Sequence, residues 1–198
     1  MKTSKKCLNR ITIALFVANL YLFSSVLTAQ IQGIYFTADD FTHNKLSFAK
    51  GENKKCKIHI HDYLFNAHIK VTCGDSVYNF NKDSVFGFKD GDGISHRFFN
   101  KEVYTILNPT ENILLYKVMV SAKTKYDPAV YSYRFSKDAY SPLYSLRTKN
   151  LEACFETNKI FIELLDVHFK NDGELLEYDD IHKMYKLNRL IELSKDQK

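Results

Sequence analysis

The stretch from Cys56 to Phe80 constrains the fold of this chain more tightly than any other. Cys56, Ile58 and Ile60 alternate with Lys57, His59 and His61, and Ile69, Val71 and Cys73 alternate with His68, Lys70 and Thr72. Successive strand side chains point to opposite faces, so a period of two reads as strands with one apolar and one polar face. Gly74-Asp75 suits a two-residue hairpin turn with Gly at the first central position, and Ser76, Tyr78 and Phe80 resume the alternation beyond it. Pairing Cys73 with Ser76 sets Val71 against Tyr78 and Ile69 against Phe80. If Asp62 to Ala67 join the first two strands, Ile60 meets Ile69, Ile58 meets Val71, His61 meets His68 and Cys56 meets Cys73. A slip of one residue would turn every apolar side chain to the wrong face.

The same signature continues downstream. Val85 to Lys89 and Ile94 to Phe99 flank Asp90-Gly91-Asp92-Gly93, and Val103 to Leu107 and Ile113 to Val120 flank Asn108 to Glu111. Val130 to Phe135 reads as a further strand and Leu143 to Leu146 as a short last one. Short strands in sequential hairpins predict an antiparallel β-meander that curls into a barrel-like or strongly bent sheet. After Leu146 apolar residues recur at three and four, the helical period. Thr148 or Asn150 is placed to cap a short helix through Phe155, and Asn158 to cap one from Lys159 to Phe169. Asp179 or Asp180 is placed to cap a last helix with Ile181, Met184, Leu187, Asn188 and Ile191 on one stripe. The expected class is β-rich α+β, with a meander over 30–146 and two or three helices over 147–198.

The N-terminus reads as an export signal. Lys2, Lys5, Lys6 and Arg10 precede an apolar stretch from Ile11 to Leu27, which exits through Leu27-Thr28-Ala29. A basic start, an apolar middle and a small-residue exit are the three parts of a cleaved leader, and the apolar run is short of the roughly 20 residues a membrane span needs. Residues 1–29 are therefore expected to be a signal peptide and residues 30–198 a single exported domain, periplasmic, in the cell envelope or secreted. No later segment is apolar enough to cross a bilayer as a helix. The whole chain sets 28 Lys and Arg against 23 Asp and Glu. Four of the basic residues belong to the leader, so the remainder is nearly neutral. The densest later basic run, Lys54, Lys55 and Lys57, suits a solvated strand edge, and a nucleic-acid partner, which needs clustered excess charge, is not expected.

Without the leader three cysteines remain, Cys56, Cys73 and Cys154, an odd number. Export permits oxidation, and Cys56 and Cys73 lie opposite each other in the register above. They are either a disulfide or two buried thiols on the apolar face, as their Cα spacing decides. Cys154 beside Leu151 and Phe155 reads as buried and inert, lacking the electropositive, exposed setting of a reactive thiol.

His59, His61 and His68 share one strand face and are the candidate metal ligands. Three imidazoles on adjacent strands can hold zinc and leave a fourth position for water. Lys70 lies opposite His59 and opposes a cation there, and the plainer alternative is a wet polar face shared with Lys57, Lys70 and Thr72. Asp90 to Gly93 opens like a calcium loop, but the twelfth position, where a bidentate acid is required, is Lys101. An ordinary Asp/Gly turn accounts for it. Asp39-Asp40 and Asp179-Asp180 read as helix N-caps, whereas a hydrolase draws its two carboxylates from different elements. No nucleophile elbow, phosphate loop or dinucleotide fingerprint is present. The leading expectation is a non-catalytic envelope protein without a cofactor, holding a small ligand in a meander cavity or engaging an envelope component through an exposed apolar patch. The competing expectation is a zinc-dependent or other hydrolase that uses the His59, His61, His68 face.

Three stretches carry a resemblance: Gly33 to Phe41 (GIYFTADDF) with Asn44-Lys45-Leu46, the span from Phe86 to Leu107 with its His96-Arg97-Phe98 and Tyr104, and Tyr178 to Asn188 (YDDIHKMYKLN). Together they resemble uncharacterised secreted proteins of Bacteroidetes-type bacteria, and the Ala29-Gln30 exit fits the same source. The resemblance implies an envelope setting. It transfers no activity and no site residue.

Overall fold

The structure, a computed structural model, describes residues 31–49, 56–60, 67–120 and 128–196. The expected signal, residues 1–29, lies outside the described residues. Its fold class is the β-rich α+β one expected, with antiparallel sheets followed by C-terminal helices. The meander, however, divides. The larger sheet holds β1 (Gly33–Tyr35), β5 (Gly87–Lys89), β6 (Ser95–Phe99), β7 (Glu102–Ile106), β8 (Leu114–Val120), β9 (Val130–Ser136) and β10 (Tyr144–Ser145), in that spatial order. A separate sheet holds β2 (Cys56–Ile60), β3 (His68–Cys73) and β4 (Ser76–Asn81). Strand β1 pairs with β5 rather than with its neighbour in sequence, so β2–β4 is an excursion from the main sheet.

Within the small sheet the register is the predicted one: Cys56 faces Cys73, Ile58 faces Val71, Ile60 faces Ile69, and Val71 and Ile69 face Tyr78 and Phe80. The expected barrel-like or strongly bent sheet is not formed among the described residues. A barrel closes by pairing its first strand with its last, whereas β1 and β10 end opposite edges of an open sheet. Closure is not needed to bury the apolar surface, because both faces of the large sheet have other covers.

The register assigns those faces. Ile34, Phe88, His96, Thr105, Lys117 and Tyr133 form one cross-strand row. At one end of this face Ile34, Phe88, Phe98 and Val103 pack with Ile58, Ile69, Val71 and Phe80 of the small sheet. At the other end Leu115 and Phe135 pack with Leu151, Phe161, Leu165 and Leu187. These last belong to helices α2 (Thr148–Cys154), α3 (Lys159–His168) and α4 (Lys186–Asp196). Each fully buried Phe or Leu contributes about 1.5–3 kcal/mol. The opposite face, with Tyr35, Tyr104, Ile106 and Tyr116, is covered by Phe41 of α1 (Ala38–Thr42) and by Ala139 and Leu143 of the 137–143 loop.

Helix ends refine the sequence reading. Asn158 caps α3 as expected, accepting from the Phe161 amide. Thr37, not the aspartates, caps α1: its hydroxyl accepts from the Asp40 amide while the Asp40 carboxylate accepts from the Thr37 amide, a capping box. Arg147 occupies the N-cap position of α2 without a side-chain bond, and the Thr148 amide and hydroxyl donate instead to Asp172. The last helix starts later than predicted. Asp179 takes the Ile181 and His182 amides within a hairpin of β11 (Tyr178–Asp179) and β12 (Met184–Tyr185). Lys183 there has φ 56°, a left-handed conformation that no helix continues through. Among the described residues no helix is long and apolar enough to cross a membrane.

Candidate functional site

The predicted histidine face is an open one. His59 and His68 are exposed on the outer side of the small sheet, His59 opposite Lys70 and His68 opposite Asn81. His61 lies outside the described residues. Among the described residues no group of three His, Cys, Asp or Glu side chains is gathered to hold a metal ion. On the inner side Cys56 and Cys73 are joined as a disulfide, their Cα atoms 4.2 Å apart. Cys154 is free and half-buried, and burial pushes its thiol pKa up, away from the thiolate a nucleophile needs.

His96 is set against a carboxylate, a hydroxyl and an aromatic ring. His96 Nε2 lies 2.8 Å from Asp90 Oδ2, and Thr105 Oγ1 lies 3.3 Å from His96 Nδ1. The Phe88 ring stacks on the imidazole at 4.5 Å. With Nε2–H donating to the carboxylate, Nδ1 accepts from the threonine hydroxyl. The other Asp90 oxygen accepts from the amides of Asp92 and Ile94, which shapes the turn. Burial raises the Asp90 pKa, but the bonds from His96, Ile94 and Asp92 outweigh it and hold the carboxyl below its ordinary value.

Hydroxyl, imidazole and carboxylate in line suggest acyl transfer, yet the surroundings do not suit it. Thr105 lies inside β7, paired on one side to His96 and on the other to Lys117. Its backbone groups belong to the ladder, so they form no donor pair for an oxyanion. The arrangement instead stitches the β5–β6 turn to β7. The signal for it was in the sequence: Asp90 and His96 fall on one face of the hairpin, and continuing the register across the next turn brings Thr105 beside His96.

The opposite face carries a second polar chain. Arg97, buried, donates to the Tyr116 hydroxyl and the Ser141 carbonyl, both at 3.0 Å, with the Phe86 ring 5.0 Å from the guanidinium. Tyr116 in turn donates to Ser136 Oγ at 2.9 Å, and Ser136 donates to the Asp138 carbonyl. The Asp138 carboxylate accepts from the amides of Tyr140 and Ser141. Burial raises the Tyr116 pKa, and burial together with the neighbouring Glu102 carboxylate pushes Tyr104 up to about 12. Both phenols are therefore hydroxyl donors at neutral pH, and the chain fastens the 137–143 loop to the sheet.

The β8–β9 hairpin runs on beyond the strands that flank it. Pairing of β7 with β8 stops at Thr105–Lys117, and pairing of β10 with β9 stops at Ser145–Arg134. Beyond those points Met119–Tyr131 and Val120–Val130 pair only with each other among the described residues. All four side chains are exposed, Met119 at 65% and Val130 at 57%. Because the pairs alternate in face, this ribbon shows apolar groups on both sides, with the Lys117 ammonium 3.7 Å over the Tyr131 ring. The unbroken run Val118-Met119-Val120 was its signature in the sequence. No protein-family model matches this chain, and neither the curated proteins nor the solved structures offer a match.

Proposed function

We propose that this chain is an exported, non-catalytic interaction domain of the cell envelope whose β8–β9 ribbon docks a protein partner. The observation that carries the reading is the ribbon itself: contiguous apolar side chains on both faces of a strand pair, outside the protection of the main sheet. Such a surface is a liability unless something covers it. The Cys56–Cys73 bridge supports the export part, since such cross-links persist in oxidising compartments, and the expected leader and the resemblance to secreted bacterial proteins agree with it. The open sheet has no barrel lumen to hold a small ligand, so an envelope component is favoured over a small molecule. The polar clusters hold loops in place and support no reaction.

Native mass spectrometry of protein taken from its own envelope or medium tests the reading. The expected species is a chain beginning at Gln30, oxidised at Cys56 and Cys73, together with a retained partner that Met119→Ser with Tyr131→Ser releases. A mass that includes residues 1–29, or a partner held equally well by the double variant, sinks it. Zinc retained by the wild type and lost from His59→Ala and His61→Ala would replace it with the metal-dependent hydrolase.

A further inference from the structure

We infer that β4 is a self-docking edge, at which two copies of this chain join their small sheets antiparallel about a two-fold axis through Tyr78. The sheet order places β4 outermost, and every residue from Ser76 to Asn81 except Phe80 is exposed. Natural edge strands are normally blunted by charge, proline, a bulge or shortness. Strand β4 reads SVYNFN, six residues without a charge or a proline. The other outer strand of its sheet, β2, carries Lys57, and the edges of the large sheet, β1 and β10, are three and two residues long. Among the described residues β4 is thus the one long neutral edge.

The hairpin specifies which groups are offered. Cys73 and Ser76 close a two-residue turn and therefore exchange both backbone bonds, as do Val71 with Tyr78 and Ile69 with Phe80 two steps on. The backbone N–H and C=O of Val77 and Asn79 consequently point away from β3. Asn81 does not extend the edge, because its carbonyl and side chain serve the following turn through Ser84 and Asp83. A two-fold axis at Tyr78 satisfies both offered residues on both copies, since Val77 of each then meets Asn79 of the other. Opposed residues lie on one face of the joined sheet, with Tyr78 against Tyr78 and Ser76 against Phe80 on the aromatic side.

A second copy is the occupant that the charge pattern favours. Two uncharged edges approach without like-charge repulsion, and an isologous contact needs only the surface each copy already has. One strand pair buries far less than the roughly 1,200 Å² of a stable interface, so the dimer is weak and depends on concentration. This surface is distinct from the β8–β9 ribbon, and neither proposal depends on the other.

Sedimentation velocity of the purified native protein from micromolar to millimolar concentration tests the inference, with Asn79→Pro and Val77→Lys as variants. Asn79→Pro removes an outward N–H and leaves the β3 ladder intact, and Val77→Lys places a charge on the edge. The expected result is a monomer–dimer equilibrium whose dissociation constant rises at least tenfold in each variant. Amide exchange on the wild type supplies an independent readout should a variant misfold: Val77 and Asn79 gain protection as concentration rises, while amides elsewhere in β2 and β3 do not. A monomer at every concentration, a dimer indifferent to both substitutions, or a different chain occupying the edge overturns it.

Discussion

Two covers share one face of the large sheet, and they are fastened by different means. The helical cover is held by an apolar core and by buried amides. Asn188 on α4, 1% exposed, accepts from the Ile113 amide and donates to the Ile113 carbonyl, and buried Asn108 bonds the same carbonyl and the Leu115 amide. The small sheet has a thinner core of Phe, Ile and Val beneath a wet outer face, and a covalent bridge ties its first two strands. Noncovalent packing suffices where many large side chains converge. Where one side of a sheet stays in water, a cross-link supplies what packing does not.

The comparison can be broken most forcefully from the helical side. Phe161→Ala, at a fully buried site, is expected to cost about 3–5 kcal/mol in chemical denaturation and to loosen α2–α4 in amide exchange before β2–β4. If the small sheet opened first, the two covers would be one cooperative unit. Reducing the disulfide, or replacing Cys56 and Cys73 by Ala, should cost about 3 kcal/mol for a loop of this length. Exchange should then quicken in β2–β4 while α4 stays protected.

Asn188→Ala should cost about 1–3 kcal/mol, because the Ile113 amide stays buried without a partner while its carbonyl keeps only the bond from Asn108. A smaller loss measured in urea would show that water reaches the amide.

A last contrast sets His96 against His59. The Asp90 carboxyl titrates below its ordinary 3.8 in the folded chain, so its stabilisation is complete above that pH and is lost as pH falls through the lowered value. The stability gap between wild type and Asp90→Asn should therefore still be open at about pH 3.8 and close below it, as acid titration by circular dichroism would record. His59→Ala on the exposed face should change stability by no more than about 0.5 kcal/mol. A larger effect, or one that depends on zinc, would return that face to candidacy as a site.

The candidate sites were legible to different depths. His59 and His68, placed by the register of neighbouring strands, occupy a solvent face, whereas His96 has a carboxylate and a hydroxyl beside it. Pairing across a single loop places the first two. The cluster at His96 required following pairings across two hairpins. Arg97 gave less warning still, since its partner Ser141 lies on a loop with no periodic pattern to extrapolate from.

What the chain's own pattern determined is the small sheet's register, with Cys56 against Cys73, because alternation and turn length act over a few residues and admit one solution. The helical period after Leu146 was equally local. Tertiary structure decided the rest. It decided that β1 bypasses β2–β4 to reach β5, that the sheet stays open under two covers, and that Asn188 in an apolar stripe answers Ile113, 75 residues earlier. Each of these depends on which distant surfaces bury one another, and no stretch of sequence carries that by itself.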